Sequence, residues 1–196
     1  MTLSSANTYI PGSCFQNSNI KTINIPSGIT AFYDNCFKDS KLEMDASYIS
    51  HAKEYYDSCF VRCNITGTFA PDNNPTLLDK YALLGTKISS VDLSSTSLTT
   101  IYQGAFSDCK NLTSVTLPQS LTTIDNNVFS GCTALTTIDV GGTTTLGAGV
   151  FYNCPALTSV VLPSTLTNLP AQTFRYCTNL SNVNLGNITT FGNESL

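Results

Sequence analysis

Phe106-Ser-Asp-Cys109, Phe129-Ser-Gly-Cys132, Phe151-Tyr-Asn-Cys154 and Phe174-Arg-Tyr-Cys177 recur along the chain at a nearly constant step. A fixed step in this range is the signature of a solenoid in which each repeat is one coil. Followed towards the N-terminus, the phenylalanine column runs at the same step through Leu83 to Phe60, Phe37 and Phe15. One further step beyond Phe174 reaches Leu196. The spacing therefore predicts about eight coils and a single repeat domain over 1–196, without a linker. Both ends fall inside a repeat and lack the polar cap that closes a solenoid, so the chain is expected to be a segment of a longer array. A solenoid works through its long faces, where equivalent positions of successive coils line up.

Each coil has three parts. In Leu112-Thr-Ser-Val115-Thr-Leu117-Pro118, Val115 and Leu117 alternate with Ser114 and Thr116, the period of a half-buried strand. Counterparts are Ile23 and Ile25, Val91 and Leu93, Ile138 and Val140, Val160 and Leu162, and Val183 and Leu185. Pro26, Pro118 and Pro163, or Gly141 and Gly186, then end the strand. A short apolar pair follows, as in Leu121 with Ile124 and Leu166 with Leu169, and the phenylalanine turn closes the unit. Asp34, Asp57 and Asp125 precede that turn as candidate caps of a single helical turn. Too few residues remain for a long helix. The expected class is an α/β solenoid: a parallel sheet on one side, short helical turns or irregular segments on the other.

Residues 43–80 fit worst and read as degenerate coils. Their inward strand positions are expected at Met44 and Ala46, then at Thr68 and Ala70, and the segment Pro71-Asp-Asn-Asn-Pro75 is rich in turn formers.

Composition excludes several functions. Charged residues make up 11% of the chain and the net charge is −4, with no lysine–arginine stripe for a nucleic-acid backbone. No apolar run approaches the roughly 18–20 residues of a membrane span. Met1 to Ile10 has neither the basic region nor the apolar stretch of a signal peptide.

Eight cysteines first suggest disulfides or zinc. Cys14, Cys36 and Cys59, however, each stand just before a column phenylalanine, and Cys63, Cys109, Cys132, Cys154 and Cys177 each stand three residues after one. Ser18, Ser40 and Thr86 share the second column, which indicates a small inward slot filled by a free thiol or hydroxyl. Adjacent coils also bring such thiols towards disulfide range, and Cys59 and Cys63 are four residues apart, the spacing of one helical face. No metal site, cofactor or catalytic residue is assigned. His51 is the only histidine and no nucleophile motif surrounds it. The sequons at Asn64, Asn111, Asn179, Asn187 and Asn193 are about as many as chance gives in a chain this rich in serine and threonine.

The unit Leu-x-x-Val-x-Leu-Pro-x-x-Leu-x-x-Ile-x-x-x-x-Phe-x-x-Cys-x-x-Leu, from Leu112 to Leu135, resembles the BspA-like, or Treponema pallidum-type, leucine-rich repeats. The resemblance is strong from Ile88 to Leu185, weaker from Ile10 to Leu42 and poor between. The Gly-x-x-Ala-Phe of that family survives only as Gly104-Ala105-Phe106; Val128, Val150 and Thr173 replace the alanine elsewhere. The resemblance implies a right-handed arc with its parallel sheet on the concave side. It also implies an extracellular or cell-surface protein of a host-associated microbe, and a partner such as an extracellular-matrix or cell-surface protein.

On that face the residues expected to point outward are Glu43, Asp45, Phe69, Asp92, Thr116, Asp139, Val161 and Asn184, a mildly acidic column with Phe69 and Val161 as apolar anchors. Two readings stand side by side. In one, this face binds a protein partner without catalysis, as in adhesion. In the other, the small polar side chains form a solvated spacer or stalk without a ligand of its own.

Overall fold

The computed structural model describes residues 3–196. In chain order its strands are β1 (Tyr9–Ile10), β2 (Ala31–Phe32), β3 (Glu43–Asp45), β4 (Glu54–Tyr55), β5 (Asn64–Phe69), β6 (Leu77–Leu78), β7 (Lys87–Asp92) and β8 (Thr100–Ile101). The series continues with β9 (Ser114–Thr116), β10 (Thr123–Ile124), β11 (Thr137–Asp139), β12 (Thr145–Leu146), β13 (Ser159–Val161), β14 (Asn168–Leu169), β15 (Asn182–Val183) and β16 (Thr190–Phe191). Every pairing is parallel and joins one coil to the next. The fold is a parallel β-solenoid.

The strands form two ladders rather than one. The first follows the alternating segments, in the orders β3-β5-β7-β9 and β11-β13-β15. The second follows the short apolar pairs, in the orders β1-β2-β4-β6, β8-β10-β12 and β14-β16. Each strand of the second ladder has only two residues, too few for periodicity to reveal.

The helical half of the expected α/β class does not form. Among the described residues the one helix is a 3-10 turn at Ala46–Tyr48. The phenylalanine turns avoid helix by a repeated backbone device. The residues two before and two after each column position have left-handed φ: Ser13 and Asn17, Asn35 and Asp39, Ser58 and Arg62, and so on to Gln172 and Tyr176. Asparagine, aspartate, glycine and serine hold most of these positions, as the left-handed region favours. The device aims alternate N–H groups along the stack. Gly104, Phe106 and Asp108 donate to the carbonyls of Asn126, Val128 and Ser130 at 2.9, 3.1 and 2.7 Å. Asp125 accepts the Asn126 N–H at 2.6 Å within the turn and caps no helix.

The core is the stacked columns. Phe37, Phe60, Phe106, Phe129 and Phe151 are fully buried. Neighbouring rings lie near parallel, with Phe106–Phe129 at 5.8 Å and 2° and Phe129–Phe151 at 6.1 Å and 6°. Phe129→Ala is therefore expected to cost about 3–5 kcal/mol. Thr116→Ala, on the exposed face, is expected to cost under about 0.5 kcal/mol. Urea midpoints of the two variants check this; comparable midpoints would remove the column assignment.

The thiols belong to the same packing. All eight are free, and Cys36, Cys59, Cys63, Cys109, Cys132 and Cys154 are buried. In the second cysteine column each Sγ donates to the carbonyl of the preceding coil's column residue: Cys63 to Phe37 at 3.0 Å, Cys109 to Leu83 at 3.3 Å, Cys132 to Phe106 at 3.3 Å and Cys154 to Phe129 at 3.1 Å. Ser40 and Thr86 meet the next coil's thiol in the same slot. The slot wants a small donor. Burial pushes the Cys63 thiol up to about 11 and those of Cys109 and Cys154 up to about 12.

One inward assignment fails. Thr68 and Ala70 are exposed and Phe69 is fully buried. The register explains it: Thr66 faces Lys87 and Gly67 faces Ile88, but Thr68 faces Ser90 and Phe69 faces Val91, with a shift between Gly67 and Thr68. A one-residue slip exchanges the two faces of a strand. Phe69 thus stands in the Val91 column, whereas the constant repeat step matches it to Asp92.

Candidate functional site

The outward face of the first ladder is the candidate site. Glu43, Asp45, Asp92, Thr116, Asp139, Val161 and Asn184 are all exposed there. Phe69 is not among them: it lies in the core with Tyr55 at 5.3 Å and Phe106 at 6.3 Å. The bulge also divides the column. Asp45 aligns with Thr66 and, through it, with Lys87. Asp92 aligns with Thr116, and Asp139 with Val161. Asp45 and Asp92 therefore do not share a row.

Turn chemistry dictates which residue type occupies this column. Asp45 accepts the N–H of Ser47 at 2.9 Å, Asp92 that of Ser94 at 3.0 Å, Asp139 that of Gly141 at 2.8 Å, and Asn184 that of Gly186 at 2.9 Å. These are Asx turns that end each strand. The Ser94 hydroxyl also donates to Asp92 at 2.6 Å, and with the N–H it holds that carboxyl below its ordinary value. Thr116 and Val161 are followed two residues later by Pro118 and Pro163, which have no N–H to offer. In those coils the outward position is released from capping. The acidity of the face is thus largely a product of turn termination, and the coils that end in proline are where its side chains are free to vary.

Asp45 carries a second structural task. Its carboxylate occupies the place where a Cβ on Gly67 would stand, and Gly67 has φ +80° at the register shift. Glycine is required there both for the left-handed backbone and for the close approach.

The released positions sit beside a seam. β9 and β11 belong to separate sheets, so the first ladder is not hydrogen-bonded between them. The second ladder is continuous at this level through β8, β10 and β12. Val115 and Leu117 are only partly buried at the seam. A shallow hollow of about 350 Å³ runs over it, with Asp139, Ser159 and Val161 on its floor and rim. Val161 is 52% exposed, a β-branched apolar residue on an otherwise polar strand surface.

Tyr48 was missed by the sequence reading. It is 59% exposed and borders a hollow of about 440 Å³ with Glu43, Met44 and Asn24. On the second ladder's side Tyr33 stacks on Tyr56 at 4.7 Å and meets Tyr9 edge-on at 5.4 Å. The one signal for Tyr48 is the Asp45 cap, which starts the 3-10 turn that presents it. Among the described residues no three of histidine, cysteine, aspartate and glutamate converge on a common point. His51 has a buried Nε2 without a hydrogen-bond partner. No helix among the described residues is long and apolar enough to cross a membrane.

Comparison with known proteins agrees with this geometry. A family model described as a BspA type leucine-rich repeat region matches residues 1–82 and 99–196 in six copies. The match includes residues 43–80, where the sequence resemblance was poor, and omits the stretch that holds Leu83. No curated protein matches the chain. A leucine-rich repeat protein from Bacteroides ovatus is similar in structure, with a TM-score of 0.54 at 20% identity over 98% of this chain. A leucine-rich cell surface protein from Faecalibacterium prausnitzii has a TM-score of 0.57 at 19% identity over 93% of this chain. The chain spans 62% and 58% of the lengths of these two proteins. At such identity the likeness establishes the fold.

Proposed function

We propose that this chain, which belongs to the BspA-type leucine-rich repeat family, is a non-catalytic module that binds a protein partner through the outward face of its first ladder. The setting is an extracellular or cell-surface protein of a microbe, and the partner class is an extracellular-matrix or cell-surface protein, as in adhesion. Val161 carries the reading: it is exposed, apolar, released from turn capping and set beside an open seam. An apolar centre with a polar rim is the anatomy of a protein interface. The cell-surface protein of Faecalibacterium prausnitzii supports the location through its shared fold.

A spacer segment is the second reading. Ser114, Thr137 and Ser159 support it, because small polar residues fill the row beside the candidate column.

Binding of the chain to a panel of extracellular-matrix proteins, measured by biolayer interferometry, decides between the two. Val161→Glu is expected to weaken binding about tenfold or more, as the loss of a central anchor does. Val161 is exposed, so the variant is expected to fold. A variant that binds as well as the parent removes this face as the site, and a panel with no binder favours the spacer.

A further inference from the structure

A third hollow lies where the phenylalanine turn of Leu83 leads into β7. It has a volume of about 540 Å³ and is bordered by Arg62, Gly85, Lys87, Asp108, Lys110 and Asn111. The left-handed position after the turn carries Asp39, Arg62 and Asp108 in neighbouring coils, but Gly85 here. The Arg62 stem passes over Gly85, and its guanidinium turns back to Asp39 in a two-point contact at 2.5 and 2.8 Å.

The charge around the hollow runs against that of the whole protein. The chain has nine lysines and arginines against thirteen acids, yet three of those cations border this one hollow. Arg62 is neutralised by Asp39. Among the described residues the only other ion pair is Arg175 with Glu194, so Lys87 and Lys110 have no carboxylate partner. Both are exposed and stand on adjacent coils. The one carboxylate on the rim, Asp108, leans over Gly131 in the next coil.

The geometry points to a binding site for an acidic saccharide, with the sugar's carboxylate held between Lys87 and Lys110. Both ammonium groups border the one hollow. Asn111 donates and accepts, and Asp108 accepts, which suits ring hydroxyls. Leu84 and the aliphatic stem of Arg62 offer an apolar wall to the C–H face of the ring. The volume falls in the range of about 300–1,000 Å³ typical of small-ligand sites. Of the strand face this site uses only Lys87, at the start of β7, and not Val161, so it stands or falls apart from the protein-binding reading.

The experiment is an NMR titration of the ¹⁵N-labelled chain with glucuronate, glucose and acetate as probes. Glucuronate is expected to shift the amides of residues 85–87 and 108–111. Glucose and acetate are each expected to bind about tenfold more weakly, since each keeps half of the contacts. Lys87→Ala and Lys110→Ala are each expected to weaken glucuronate about fivefold, as loss of one exposed charge contact does. Both residues are exposed, so the variants keep the fold, and an unchanged ¹⁵N spectrum away from the hollow checks that they do. Absence of glucuronate shifts at these amides, or equal binding by both variants and the parent, overturns the site. Acetate binding as tight as glucuronate overturns the saccharide assignment.

Discussion

Leu83→Phe and Phe69→Val are each expected to destabilise the protein, and the double variant is expected to be more stable than either. Leu83 is the one break in the phenylalanine column and is fully buried. Phe69 stands in the same coil, in a column held by valine and isoleucine from Val91 onward, and is fully buried too. Its ring lies 6.3 Å from that of Phe106, in the next coil. The coil therefore carries its large ring on the strand side and its smaller residue at the turn, the reverse of its neighbours. Removing the ring alone leaves a cavity at about 2–4 kcal/mol. Adding a ring at 83 alone overfills a closed core at about 1–3 kcal/mol. Together the changes conserve volume and complete the ring stack from Phe60 to Phe106. The double variant is expected within about 1.5 kcal/mol of the parent, far from the sum of the singles. Urea denaturation of all four proteins measures the coupling; additive losses would mean that the two side chains do not share space.

The second large effect is alkaline. Six cysteines are buried, and desolvation raises the thiols of Cys36, Cys59 and Cys132 well above the ordinary 9.0, with Cys63 near 11 and Cys109 and Cys154 near 12. Below 9.0 both folded and unfolded chains keep these protons, and the protein has its full stability. Above 9.0 the unfolded chain ionises while the folded chain does not, so each unit of pH removes roughly 1.4 kcal/mol per buried thiol. The loss continues to about 11 for Cys63 and about 12 for Cys109 and Cys154, where the folded thiols ionise as well. Stability measured by urea at about pH 10 is expected to be several kcal/mol below that at about pH 8. Serine at 109, 132 and 154 retains a small donor, as Ser40 does naturally, and should roughly halve the slope by removing half of the buried thiols. Equal midpoints at the two pH values in the parent would contradict the packing of these thiols.

The phenylalanine column and the second cysteine column were legible in the sequence because each recurs at a nearly constant step and faces the core in most coils. Three features were not. The second ladder is built from pairs such as Thr123–Ile124, which carry no alternation to read. Phe69 was placed on the wrong face because a fixed step cannot register the slip between Gly67 and Thr68. A glycine inside a strand pattern was the available sign of that bulge. The acidic face was visible as a row of aspartates, but its cause was not. Pairing each outward residue with the one two places on separates Asp92 and Ser94 from Val161 and Pro163, and so distinguishes caps from candidate contacts.

The exchange of large and small side chains within one coil bears on how such an array can change length. Repeat proteins gain and lose coils when equivalent segments recombine out of step, and most junctions here join one interchangeable coil to another. A junction between Ala70 and Ala82 is different, because it separates Phe69 from Leu83. One product inherits both rings and is overfilled; the other inherits neither and is hollow. Coil number is thus free to drift elsewhere in the stack, while this coil is inherited whole.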